Sequence, residues 1–234
     1  MSNAIPRTTV ALVAIPTAQS AAFQTYVTEF AATVAGELAT TDPKVTVTAQ
    51  PAAVPLQVME AAAQQALIGA VYDVPQGVYR MSAEVPGLVE TSGNLGVLSI
   101  TNGKFSAISY VRSAIDSERD AEAQRFAEVL VLAGATVTCE GAYSSWSPNL
   151  DSPLLKLMTQ VYLDMFGVSP AAAAIHAGLE TSVAGVTYPG MDMISIGPTI
   201  IGVHSPDERL DVASVQKVFD LIVATLERVG HTDR

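Results

Sequence analysis

At 234 residues the chain has room for one large domain or two small ones, and with 49% apolar and only 15% charged residues it can bury a sizeable core. A formal net charge of -11 argues against a nucleic-acid surface, since phosphate binding needs clustered Lys and Arg. The one cysteine, Cys139, excludes an internal disulfide and fits a reducing compartment.

No cationic and apolar leader stands at the N-terminus, so no secretory signal is expected. The apolar runs are broken by Gly, Pro or charge before about 18 residues, so no membrane span is expected either. Thr8 to Ile15 is a β-branched apolar run that predicts a strand. Phe23, Val27, Phe30, Val34 and Leu38 then fall at spacings of four, three, four and four, which predicts a helix from Ser20 to Leu38. Asp42-Pro43 breaks it, and Val45 to Thr48 alternates as a strand.

The stretch from Pro55 to Ile68 reads as a helix, and Tyr79 to Ser82, Gly87 to Glu90 and Leu95 to Ile100 read as short strands. Asn102-Gly103 is a strong hairpin signal between Leu95 and Val111, with Arg112 at the hairpin's far end. Ser117 is the expected cap of a helix running to Leu132, with Glu118 and Asp120 near the positive end of its dipole and Gly134 closing it. Thr136 to Cys139 alternates again, with Cys139 expected in the core. Strand, long helix, strand therefore occurs twice, as two lobes of similar build.

From Gly141 to Pro153 the composition shifts to Ser, Pro, Asn and Gly, as in a linker. Ser152-Pro153 starts a helix that ends at Gly167. Ala171 to Ile175 and Asp192 to Ile196 are expected strands. His204 follows a Gly197-Pro198 break and precedes Ser205-Pro206-Asp207-Glu208, which reads as a helix start. The last helix is expected from Asp211 to Val229, with Val215, Val218, Phe219, Ile222 and Leu226 on its apolar face.

Five blocks carry a resemblance. They are Asn3-Ala4-Ile5-Pro6-Arg7, Gly87 to Val97, Val111-Arg112-Ser113-Ala114-Ile115-Asp116-Ser117, Ile175 to Glu180 with Tyr188 to Met193, and Gly197 to Leu210. In order and spacing, over nearly the whole chain, they resemble the aminoacyl-histidine dipeptidases, cytosolic two-zinc enzymes related to carboxypeptidase G and aminoacylase. No adjacent Glu-Glu pair occurs in this sequence, and its one His-x-Asp, His231-Thr232-Asp233, follows all five blocks, whereas the family carries that motif in its N-terminal half. The resemblance thus implies the C-terminal half of such an enzyme. Its fold would be α+β: a two-lobed lid domain at 3–146 of strand–helix–strand units on antiparallel sheet, then a C-terminal α/β segment of the catalytic domain at 147–234.

The same resemblance implies the chemistry. Two zinc ions would activate a water, and the general base would lie in the missing N-terminal half, so this chain holds no catalytic residue and alone would be inactive. His204 would bind one metal; its bland alternative is a capping or surface histidine. Arg112 would bind the substrate carboxylate bidentately; otherwise it pairs with Asp116. Asn3 would lie near the scissile carbonyl. His176 would bond substrate or a metal-site carboxylate, or is simply structural. Gly178 would let backbone N–H groups approach a carboxylate. Glu180 would shape the pocket, or only start a helix. The expected substrates are Xaa-His and related short dipeptides, and the expected partners are the missing half and a second copy in a homodimer. The location would be cytoplasmic, with no nucleic acid or membrane partner. The competing reading is a non-catalytic dimerisation module without a metal centre.

Overall fold

The computed structural model describes residues 4–146, 149–171, 173, 179–203, 205 and 207–232. The chain divides into two compact units, one of residues 7–64 and one of residues 1–6 with 65–234. The fold is α+β with antiparallel sheets. Among the described residues no helix is long and apolar enough to cross a membrane.

The unit of residues 7–64 is built on α1, Ser20–Glu37. The predicted stripe exists: Phe23, Val27, Val34 and Leu38 are half-buried, and Phe30 stacks on Tyr26 with ring centroids 6.2 Å apart. Thr25, Thr28 and Thr33 return their hydroxyls to carbonyls one turn back. The strands expected at Thr8–Ile15 and Val45–Thr48 do not form among these residues. Val45 and Val47 alternate in exposure with Thr46 and Thr48 as a strand would. A strand also needs a neighbour to take up its N–H and C=O groups, and no ladder runs along either segment.

The helix expected from Pro55 begins later, as α2, Ala61–Asp73, most of it in the other unit. Its first bond runs from Gln64 N–H to the Glu60 carbonyl, and it stops before Val74-Pro75, where proline disfavours helix. Three strands follow in the order β1 (Gly77–Met81), β2 (Val89–Thr101) and β3 (Lys104–Ser113), all antiparallel. Two predicted strands are thus one, β2. Asn102 (φ 53°) and Gly103 (φ 72°) make the expected turn with both residues left-handed. The β2–β3 register slips by one between Leu95 and Val97, a bulge at Gly96.

Helix α3, Asp116–Leu132, lies across β2 and β3 and buries Phe126 and Leu130 against Ala70, Val74, Leu95, Phe105 and Val111. Ser117 does not cap it. The helix starts a residue earlier, and the Ser113 hydroxyl accepts the Ile115 N–H at 3.0 Å instead. Gly134 closes it at φ 89°. Ala135 and Val137 pack on this core without a strand partner, and Cys139, expected inside, is exposed.

Helix α4, Pro153–Phe166, begins as predicted: Ser152 Oγ accepts the Leu155 N–H, and Gly167 ends the helix in the left-handed region. Asp192 adds a second cap by accepting the Leu154 N–H at 2.8 Å, and the Ser152 hydroxyl, with that N–H, holds its carboxyl below the usual range. The segment Asp192–Ile196 is not a strand. Helix α5 is Glu180–Thr187. The short strands β4 (Ile200–Ile201) and β5 (Arg209–Leu210) pair around the loop at 202–208, and α6, Val212–Thr232, packs on α4. The buried line of α6 runs through Leu221 and Thr225, not through the expected stripe: Phe219 and Leu226 are 60% and 64% exposed.

Candidate functional site

Because successive strand residues point to opposite faces, β2 and β3 sort their side chains. Thr91, Gly93, Leu95 and Val111 face α3: Thr91 is fully buried, and a Cβ on Gly93 would lie 2.2 Å from a carbon of the Phe126 ring. Ser92, Asn94, Tyr110 and Arg112 therefore share the opposite face, where Ser92 stands across from Arg112 and Asn94 across from Tyr110.

The Arg112 guanidinium sits over the Tyr110 ring, 5.1 Å from its centroid, an attraction that also limits the arginine's rotamers. Tyr110 is held in turn: its hydroxyl is 3.1 Å from that of Tyr143. The loop carrying Tyr143 is pinned to the start of α3. Arg119 donates to the Tyr143 carbonyl, Ser145 N–H donates to Asp116 at 2.7 Å, and the Ser145 hydroxyl donates to the Ser113 carbonyl at 2.9 Å. Asp116 is held below the usual carboxylate range chiefly by that Ser145 N–H, with Arg119 assisting. Burial, with the Tyr110 hydroxyl, pushes the Tyr143 phenol up.

The N-terminal arm reaches the same face. The Asn94 side-chain amide donates to the Ala4 carbonyl at 3.0 Å, which places the residue after Asn3 beside the strand positions of Tyr110 and Arg112. Asn3 itself lies outside the described residues, as do His176, Gly178 and His204. The ends of the His204 loop are described. Gly202 turns at φ 68°, its carbonyl accepts both the N–H and the hydroxyl of Ser205, and Ser205 Oγ accepts the Asp207 N–H. The helix expected at Ser205-Pro206 does not start there, because Ser205 spends its oxygen on this turn and the chain enters β5 first. Glu180 is the exposed first residue of α5, in the turn where the dipole favours a carboxylate.

Among the described residues no group of three or more His, Cys, Asp or Glu side chains could hold a metal ion. The sequence alone does not single out Tyr110, Tyr143, Asn94 or Gln76. The alternation of 92 with 94 and of 110 with 112 was the available signal. Counting back from the turn, where Thr101 pairs with Lys104, would have set Arg112 against Gly93; the bulge shifts it to Ser92.

An α+β chain with a three-stranded antiparallel sheet, a covering helix and a basic, tyrosine-backed sheet face is similar in sequence and fold to dipeptidases, as the motifs indicated. It is 33% identical to the cytosol non-specific dipeptidase of Escherichia coli (strain K12) over 229 residues, which is 98% of this chain and 47% of that protein. Its fold matches the crystal structure of aminoacylhistidine dipeptidase from Vibrio alginolyticus with a TM-score of 0.76 at 36% identity, covering 92% of this chain and 44% of that one. The chain spans about half the length of these relatives. No family model matches it.

Proposed function

We propose that this chain is the substrate-binding half of a zinc-dependent dipeptidase that cleaves Xaa-His and related short dipeptides in the cytoplasm. The observation that carries the reading is the sheet face opposite α3, where Arg112 stands over Tyr110 and the arm after Asn3 is held alongside. Arg112 takes the dipeptide's C-terminal carboxylate in a bidentate grip, and Asn3 orients the scissile carbonyl. Residues 3–146 form the lid and residues 147–234 the last segment of a catalytic domain, with a homodimer as the assembly. In support, packing joins α3 to the sheet and α4 to α6.

The described side chains do not make a zinc site by themselves, so His204 supplies one ligand and the rest come from polypeptide outside this chain. Bound zinc supplies a Lewis acid there, and the general base is the part of the machinery this reading assigns to polypeptide outside this chain. His176, Gly178 and Glu180 are the further substrate-binding residues of this reading. No feature of the fold favours the non-catalytic dimerisation module.

The test replaces the matching half of the Escherichia coli dipeptidase with this chain and follows zinc content and Xaa-His hydrolysis. His204→Ala should lower both together. Arg112→Ala should leave zinc in place and lower kcat/KM roughly 30- to 1000-fold, the worth of a charge-assisted bond of about 2–4 kcal/mol. Full turnover by the Arg112 variant would remove the residue from the substrate site.

A further inference from the structure

Leu95 lies just past the end of the β1–β2 ladder, whose last pair is Gly77 with Gly93. Its N–H is taken up by the side chain of Gln76, the residue before β1, at 2.6 Å. That bond fixes Gln76: an N–H can only donate, so Oε1 faces Leu95 and Nε2 must point away. Nε2 then donates to Asn94 Oδ1 at 3.2 Å, which in turn fixes Asn94, leaving Nδ2 to donate to the Ala4 carbonyl at 3.0 Å. Both amide orientations follow from one backbone N–H, so neither can flip without losing a bond. The relay crosses a sequence separation of 90 residues and joins the arm to β2.

We infer that Asn94 is a positioning residue that holds the N-terminal arm, at Ala4, at a fixed distance from Arg112. This rests on the reading of Asn3 and Arg112 as substrate-binding groups. Asn94 stands opposite Tyr110, and Arg112 is the next residue on that face, so their strand positions lie about 7–8 Å apart on the diagonal. Asn3 is one residue, about 3.8 Å of chain, from the anchored Ala4. A dipeptide held at both ends needs that span constant.

The experiment uses the whole 234-residue chain and needs neither substrate nor metal, so it can fail while the dipeptidase reading stands, and the converse. Backbone 15N relaxation is measured for Ala4 and Ile5, with the β3 amides as control. Asn94→Asp keeps the size and the acceptor for Gln76 but cannot donate to Ala4. It should drop the order parameter of Ile5 from about 0.85 to below about 0.6 with β3 unchanged. Gln76→Glu keeps the Leu95 bond and loses the donor to Asn94, and should loosen the arm in the same direction. An arm as ordered in Asn94→Asp as in the parent, over an intact sheet, would overturn the inference.

Discussion

Gly93 offers the most exacting test of the packing that holds the site. A methyl group there would stand 2.2 and 2.5 Å from two carbons of the Phe126 ring and 3.2 Å from the Pro75 carbonyl oxygen. Ordinary carbon contacts begin near 3.5 Å, so the ring would have to retreat by about 1.3 Å. It has little room, being 3% exposed and enclosed by Ala70, Val74 and Leu130. Overpacking of this kind costs about 1–3 kcal/mol, and driving the ring out altogether about 3–5 kcal/mol. Alanine's smaller backbone entropy returns about 0.5–1 kcal/mol. The net expectation for Gly93→Ala is a loss of about 2–3 kcal/mol. In urea, followed by the fluorescence of Trp146, the chain's one tryptophan, the midpoint should fall by about 1–1.5 M at unchanged slope. The same change in a Phe126→Leu background should cost under about 1 kcal/mol, since the clashing ring is gone. A Gly93→Ala protein as stable as its parent would refute the close approach of α3 to β2.

Glu122 is 1% exposed, neither carboxylate oxygen has a hydrogen bond, and Arg125 stands 3.8 Å away. Burial raises its folded pKa above 4.5, so stability falls as pH climbs from about 4.5 through the folded value. Glu122→Met should add about 1–2 kcal/mol at pH 7 in a denaturant titration, and the gain should shrink toward pH 4. Asp116 acts with the opposite sign: lowered below 3.8, it contributes stability above that pH that is lost on further acidification, and Asp116→Asn should flatten this acid limb. Tyr110→Phe keeps the ring under Arg112 but frees the Tyr143 hydroxyl, so the Tyr143 phenol, titrated by NMR, should move back toward 10 without reaching it, burial being the larger cause. The chain alone should hydrolyse no Xaa-His dipeptide with added zinc; zinc-dependent cleavage by the purified 234 residues would contradict the half-enzyme reading.

Local signals were legible where their cause is local. Asn102-Gly103 fixed the hairpin, Ser152 and Gly167 fixed both ends of α4, and the stripe through Phe23 and Leu38 fixed α1. Strands at Thr8–Ile15 and Thr136–Cys139 were misjudged because alternation describes two faces of a segment, whereas a strand requires a neighbour that no local pattern supplies. The stripe of α6 was misplaced for a related reason: Phe219 and Leu226 satisfy the periodicity as well as Leu221 and Thr225 do, and only the position of α4 decides between them. Arg112 was found through its motif, but its support was hidden, since the Tyr110 ring beneath it is held by Tyr143 from 33 residues away along the chain.

The bulge at Gly96 also separates two jobs within one hairpin. Residues 97–108 beyond it can gain or lose one residue from each strand together, and the pairs nearer the site keep their faces. Deleting Gly96 alone would leave the faces unchanged as well. Leu95, opposite Ser109, and Val97, opposite Ile108, already point to opposite faces, so without the extra residue they would alternate as ordinary strand neighbours and Ser92 would still meet Arg112. Length variation among natural versions of this hairpin should therefore come in matched steps toward its tip, or as a single residue at position 96 itself, whereas one residue gained or lost within 89–95 alone would turn part of the site face in against α3.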